Sequence, residues 1–100
     1  MSVNFMVEGW NECDDIAVNA PSVGMSSSSV AQVFYAAGVQ GMDSEGDTIP
    51  ADRVGAVIEL FQKLDKSLVG TSQDTLRARG VVIWTVLAFA QSRQRGVYWA

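Results

Sequence analysis

The sequence contains no histidine, one cysteine and two prolines among its 100 residues. Histidine is the commonest general base and a frequent metal ligand, so its absence disfavours most hydrolase and zinc-site chemistry. The single cysteine, Cys13, excludes an intrachain disulfide and fits a reducing compartment, so we expect a cytoplasmic protein.

Lysine and arginine are absent from residues 1–52, which contain eight acidic residues, whereas residues 53–100 contain seven basic and three acidic residues. The formal net charge of −4 therefore combines a half of charge −8 with a half of charge +4. Acidic clusters steer a protein toward basic surfaces and away from nucleic acid. We expect a partner with a basic surface and no direct binding to nucleic acid.

The sequence also lacks an apolar run long enough to span a membrane, which requires roughly 20 residues. Its most apolar passage, residues 76–90, is shorter than that. We therefore expect no membrane association. The apolar residues of this passage fall on two adjacent helical stripes. One stripe contains Leu76, Ile83, Leu87 and Ala90, and the other contains Val82, Val86 and Phe89. The pattern predicts a buried helix that other elements enclose, with a backbone segment or a large ring packed against Gly80.

The N-terminal segment predicts a β-hairpin. Val3, Phe5 and Val7 alternate with more polar residues, which indicates a strand over residues 2–10. Residues 16–19 are predicted to return as the second strand after an acidic turn, and Pro21 is predicted to end the hairpin. The last five residues, 96–100, have high strand propensity and are predicted to join the same sheet.

Two further helices are predicted from their boundary signals. The first runs from about Ser28 to Ala37, with an N-cap among Ser26–Ser29 and a C-cap at Gly38. Residues 40–48 are predicted to be a loop. The second helix begins near Pro50 and ends at Gly70.

A capping box over residues 71–74 is predicted to start the last helix. Length and composition predict one domain over residues 1–100. We therefore expect an α+β fold in which a small antiparallel or mixed sheet, formed by the N-terminal hairpin and the C-terminal strand, packs against three helices, the last of them buried.

The loop at residues 43–47 is the best candidate for a cation site, because Asp43, Glu45 and Asp47 alternate along it. It does not match an EF-hand, since Gly46 occupies the fourth loop position instead of the sixth and Val54 occupies the twelfth. We expect neither a metal ion nor another cofactor.

Enzymatic chemistry is also disfavoured. Glu8, Glu12, Asp14 and Asp15 include pairs suitable for glycoside hydrolysis, but carboxylates at a hairpin tip are normally solvated. Acidic neighbours suppress the thiolate of Cys13, and no histidine is present to activate it. We expect a protein that is not an enzyme.

The arginines at residues 77, 79, 93 and 95 form the only candidate for a phosphate-binding patch. A helix that rises 1.5 Å per residue separates the two pairs by about 20 Å. We interpret them as residues that keep the two ends of an apolar helix in contact with water.

Three passages, SSVAQVFYAAGV (residues 28–39), GDTIPADRV (46–54) and GVYWA (96–100), are similar to small uncharacterised proteins of phages and bacteria that end in Val-x-Trp-Ala after a long helix. In its length, acidity and lack of a catalytic motif, the chain also resembles the phage-encoded anti-CRISPR proteins. Many of those proteins bind basic nucleic-acid channels of CRISPR effector complexes and exclude target DNA. Because that family shares no common motif, the resemblance assigns no role to any residue here.

The leading hypothesis is a non-enzymatic phage inhibitor that acts in the cytoplasm of a bacterial host cell. Its acidic surface would dock on the basic nucleic-acid-binding surface of a larger protein or ribonucleoprotein, a type I CRISPR surveillance complex, and block target DNA binding. The candidate interface residues are Glu8, Glu12, Asp14, Asp15, Asp43, Glu45 and Asp47. The alternative is a small structural or regulatory phage protein that homodimerises through exposed apolar surface.

Overall fold

The computed structural model describes residues 1–9 and 14–100. The strands are β1 (Ser2–Val7), β2 (Val23–Ser26), β3 (Asp47–Ile49) and β4 (Val97–Trp99). The helices are α1 (Asp14–Asn19), α2 (Ser27–Ala37), α3 (Ala51–Leu68) and α4 (Asp74–Ser92). The α+β class predicted from the sequence is confirmed, with one short helix in addition to the three long ones.

The four strands form an open antiparallel sheet in the order β2-β1-β4-β3. The C-terminal strand β4 is internal, because it pairs with β1 on one side and with β3 on the other. Trp99 is the partner of Phe5 in β1 and of Asp47 in β3. The residues just before the C-terminus therefore connect the first strand to the segment that precedes α3.

One face of the sheet carries the core. Its inward residues are at most 1% exposed: Val3, Phe5, Val7, Ile49, Val97 and Trp99. The Trp99 ring stacks on Phe5 with centroids 5.0 Å apart and meets Phe34 of α2 edge-on at 5.3 Å. The opposite face is polar or half-buried at Asn4, Met6 and Tyr98. The long helices therefore cover one face, as a half-buried antiparallel sheet requires.

The predicted second strand at residues 16–19 is wrong, because this segment lies in α1 and β2 is the strand that pairs with β1. Asn19 Nδ2 donates to Asp15 Oδ1 at 2.9 Å across one helical turn. Acidic residues at the start of a helix also complement its dipole. Residues 11–13 of the predicted hairpin turn lie outside the described residues.

The loop predicted over residues 40–48 extends too far, because β3 begins at Asp47. The three residues of β3 form a strand through their pairing with β4. Asp47 Oδ1 accepts a hydrogen bond from the Thr48 N–H at 2.8 Å. The carboxylate of Asp47 thereby satisfies a backbone donor of this edge strand.

The predicted ends of α2 are confirmed within one residue. Ser26 Oγ accepts a hydrogen bond from the Ser29 N–H at 3.2 Å, as an N-cap does. Gly38 has a φ of 80° and ends the helix in the left-handed conformation.

The capping box predicted over residues 71–74 is wrong. Gln73 is the N-cap of α4 and makes no side-chain capping bond. Thr71 Oγ1 instead donates to the Leu68 carbonyl oxygen at 2.7 Å and accepts from the Gln73 N–H at 3.2 Å. Thr71 therefore stabilises the end of α3 and the turn that follows it.

The last helix, α4, is buried along one side, at Gly80, Ile83, Val86, Leu87 and Ala90. It is not enclosed on all sides as expected, since Val81 and Val82 are 40% and 38% exposed. Gly80 is buried against a leucine methyl instead of a backbone segment or ring, because an added Cβ would lie 3.5 Å from Leu64 Cδ2. None of the helices described has the length and hydropathy needed to cross a membrane.

Candidate functional site

Residues 43–47, named here the acidic loop, form a compact turn that its own carboxylates stabilise. Asp47 Oδ2 accepts a hydrogen bond from the Asp43 N–H at 2.9 Å, and Asp43 Oδ1 accepts from the Glu45 N–H at 2.9 Å. The N–H groups of Asp43 and Thr48 hold the pKa of Asp47 below its ordinary value of 3.8. These hydrogen bonds give the loop a defined conformation and favour the ionised form of Asp47.

Trp99 connects the acidic loop to the core. Its indole Nε1 donates to the Asp43 carbonyl oxygen at 2.8 Å, although the ring itself is only 1% exposed. The backbone approaches closely at Gly46, where an added Cβ would lie 3.3 Å from the Trp99 carbonyl oxygen. The position of the loop is thus determined by the internal strand β4.

The acidic loop faces solvent, and no basic residue of the described ranges forms an ion pair with it. Asp43 and Glu45 are exposed and Asp47 is half-buried. In the part of the chain that the structure describes, the ion pairs are Asp65–Arg77 and Asp15–Arg93, so no lysine or arginine pairs with the loop. Because residues 36–52 contain no basic residue, the surface here is locally acidic.

Asp15 is partly neutralised by an arginine of the C-terminal half. Arg93 Nε donates to Asp15 Oδ2 at 2.7 Å. This hydrogen bond, together with the nearby positive charge, lowers the pKa of Asp15 below 3.8. Folding therefore brings a basic residue of the C-terminal half against an acidic residue of the N-terminal half, which reduces the local negative charge.

Glu8 directly follows β1. It is half-buried, and its backbone N–H donates to the Gly96 carbonyl oxygen at 2.9 Å. An added Cβ at the neighbouring Gly9 would lie 3.1 Å from Arg95 Nη1, which places a second arginine beside this turn. Glu8 is consequently less available to a partner than the exposed carboxylates of the acidic loop.

The strand register separates Glu8 from the acidic loop. Glu8 is level with Gly96, whereas Asp47 is level with Trp99 and lies two strands away. With typical strand dimensions, Glu8 and Asp47 are separated by about 10 Å along the strands and by about 10 Å across them. Among the described residues, Glu8 and the acidic loop therefore do not belong to one continuous cluster. Asp14 begins α1 but its side chain is not described, and Glu12 lies outside the described residues.

The arginines flanking α4 make local contacts. Arg77 Nε donates to Asp65 Oδ1 at 2.8 Å, and this bond raises the pKa of Arg77. Arg93 pairs with Asp15 at the other end, with its guanidinium 4.5 Å from the centroid of the Phe89 ring. The two pairs lie at opposite ends of the helix, as the spacing predicts, and do not form one basic patch.

Within residues 1–9 and 14–100, no group of three or more Asp, Glu, Cys or His side chains is arranged to hold a metal ion. In the acidic loop, carboxylate oxygens of Asp43 and Asp47 accept hydrogen bonds from backbone N–H groups. Glu45 is the loop carboxylate that accepts no hydrogen bond from the described residues. It is therefore the one most available for an external partner.

Sequence reasoning did not identify Trp99 as a residue that positions the site. The available signal was the alternation of Val97 and Trp99, which places both side chains on the buried face of β4. The sequence gives no indication that the indole N–H would reach the backbone of Asp43, since the two residues are 56 positions apart.

Comparisons with protein-family models, with curated proteins and with solved structures found no match to this chain.

Proposed function

We propose that the protein is a phage-encoded, non-enzymatic inhibitor whose acidic loop docks on a basic, nucleic-acid-binding surface of a type I CRISPR surveillance complex. Bound there, in the cytoplasm of a bacterial host cell, it blocks the binding of target DNA. Carboxylates of the loop occupy positions that backbone phosphates otherwise hold. Complementary charge of this kind accelerates association and selects the correct partner.

The observation that supports the proposal most strongly is an ordered loop carrying three carboxylates that no lysine or arginine of the described residues neutralises. An ordered loop loses little conformational entropy on binding, so more of the electrostatic attraction contributes to affinity. The hydrogen bond from Trp99 holds the loop in position before a partner arrives. The interface we propose is thus narrower than the seven residues predicted from the sequence.

Charge reversal at Glu45 tests the proposal with little risk to the fold, because this side chain is exposed and accepts no hydrogen bond from the described residues. We expect Glu45→Lys to weaken inhibition of target DNA binding by about tenfold, or about 1.4 kcal/mol. The measurement is the inhibitor concentration that half-displaces labelled target DNA from a purified type I complex.

Glu59→Lys is the matched control, since Glu59 is exposed on α3 and the substitution changes net charge by the same amount. The proposal requires this variant to inhibit as the unmodified protein does. Equal losses in both variants would indicate a general effect of net charge, and no loss in either would exclude the acidic loop as the interface.

A further inference from the structure

The outward side of α4 carries a seam of exposed residues that no other part of the described chain covers. Exposed residues spaced alternately four and three apart run along the whole helix: Asp74, Ala78, Val81, Thr85, Ala88 and Ser92. This spacing is the heptad pattern of helices that pair along their length. Val82 and the half-buried Phe89 lie beside the seam, and residues 80–92 contain no charge. The middle of the seam, from Ala78 to Ala88, therefore has the spacing and the lack of charge of a helix-pairing surface, with Thr85 as its one polar member.

A shallow groove of about 420 Å³ lies at the N-terminal end of this seam, lined by Asp74, Arg77, Ala78, Val81 and Val82. The first four occupy positions i, i+3, i+4 and i+7. In knobs-into-holes packing, four residues of one helix form the hole that receives a side chain of the facing helix. Ala78, the smallest of them, leaves the space that such a side chain would fill.

The order of residues along the seam identifies a second copy of the chain as the occupant. The seam is nearly palindromic about residue 83, so antiparallel pairing places Ala78 opposite Ala88, Val81 opposite Thr85 and Asp74 opposite Ser92. A two-fold interface requires a surface that is complementary to itself. The residues paired in this way also match in size, since alanine meets alanine and valine meets the similarly shaped threonine.

Charge favours the antiparallel arrangement over the parallel one. In a parallel pair, Asp74 of one copy would face Asp74 of the other. The antiparallel pair instead brings Asp74 to the helix end that carries Arg93 and opposes the two helix dipoles. It also places the half-buried Phe89 level with the groove beside Ala78 of the second copy.

We infer that a second copy of this chain docks on α4, forming an antiparallel helix pair about a two-fold axis near residue 83. Two helices of this length bury on the order of 1,000 Å², the lower limit for a specific interface. The dimer therefore dissociates on dilution. The seam shares no residue with the acidic loop, so the inference holds or fails independently of the proposed function.

Complementary charges at Val82 test both the dimer and its geometry, because the axis near residue 83 brings the two Val82 side chains together. We expect Val82→Lys and Val82→Glu each to raise the dimer dissociation constant by about tenfold or more, since like charges then meet across the axis. An equimolar mixture should recover the dimer, because lysine then faces glutamate. Sedimentation velocity of the full chain over a range of concentrations measures all three.

Val69→Lys is the matched control, since Val69 is 57% exposed at the end of α3 and lies outside the seam. It should dimerise as the unmodified chain does, and circular dichroism should show all variants folded. A chain that stays monomeric at about 100 μM would overturn the inference. Dimers that persist in both Val82 variants would exclude this surface, and a mixture that stays monomeric would exclude the two-fold pairing.

Discussion

The indole Nε1 of Trp99 donates a hydrogen bond to the carbonyl oxygen of Asp43 at 2.8 Å, across 56 positions of sequence. Trp99 belongs to the core through its ring contacts with Phe5 and Phe34, while Asp43 begins the exposed acidic loop. This bond attaches the acidic loop to the sheet and so restricts the motion of the surface that we propose as the interface. The stability of the core and the order of the loop are consequently coupled.

Replacing Trp99 with phenylalanine should disrupt this coupling. Trp99→Phe removes the donor and leaves a smaller ring, so we expect a loss of about 2 kcal/mol or more in the free energy of unfolding. Hydrogen exchange at the Glu45 and Gly46 amides should accelerate more than exchange in α3. Trp84→Phe is the control, because Trp84 is half-buried and its indole makes no hydrogen bond within the described residues. Equal loop exchange in the two variants would contradict the role of Trp99.

Gly96 has no space for a side chain. A Cβ there would lie 2.6 Å from the Ile49 carbonyl oxygen and 2.9 Å from Glu8 Cδ, so strand β3 and the end of β1 would have to move apart. We expect Gly96→Ala to lower the free energy of unfolding by about 1–3 kcal/mol, measured by urea denaturation. A variant as stable as the unmodified protein would show that the strands do not approach this closely.

Substitution of Gly80 with alanine should raise the free energy of unfolding, although Gly80 is buried as Gly96 is. A Cβ at this position would make an ordinary contact, 3.5 Å from Leu64 Cδ2. Alanine also favours a helix interior over glycine by roughly 1 kcal/mol. We therefore expect Gly80→Ala to raise the unfolding midpoint in urea. A clear loss of stability would mean that α3 and α4 pack more tightly at this point than the structure shows.

Acid should destabilise the protein through Asp47 and Asp15, whose pKa values lie below 3.8 in the folded state. A lowered pKa favours the ionised, folded form. The two ionised carboxylates therefore contribute to the free energy of unfolding above pH 3.8. This contribution is lost as the pH falls from 3.8 through the pKa values of the folded state. Asp47→Asn should make the fall in stability over this range shallower, as measured by urea unfolding at several pH values.

Glu59→Gln is the control for this pH dependence, because Glu59 is exposed and makes no hydrogen bond or ion pair within the described residues. It should leave the slope unchanged. A slope that is the same for Asp47→Asn and for the unmodified chain would show that the hydrogen bonds from Asp43 and Thr48 do not stabilise the ionised carboxylate.

Local signals were sufficient to predict the elements with clear periodicity or caps. The alternation at Val3, Phe5 and Val7 identified β1, and Ser26 and Gly38 marked the ends of α2. The strand β3 lacks such signals, because its three residues form a strand only through pairing with β4. The segment at residues 16–19 contains isoleucine and valine, which favour strands. In α1, the acidic residues at the helix start and the hydrogen bond from Asn19 to Asp15 favour a helix instead.

The candidate site was only partly predictable for a related reason. Counting charges along the chain identified the acidic loop but treated all acids of residues 1–52 as equivalent. The count could not reveal that Arg93 folds back on Asp15 and that Arg95 lies beside Gly9, whereas the loop meets no basic residue among those described. These differences arise from the sheet order, which brings the basic C-terminal segment to one end of β1.

Binding of the purified protein to a type I CRISPR surveillance complex, measured at about 50 and 200 mM salt with and without target DNA, tests whether the protein competes with target DNA for a basic surface. We expect one-to-one binding that weakens as salt rises and that excludes target DNA. Binding that is insensitive to salt, simultaneous occupancy by the protein and target DNA, or no binding at the lower salt concentration would each contradict it.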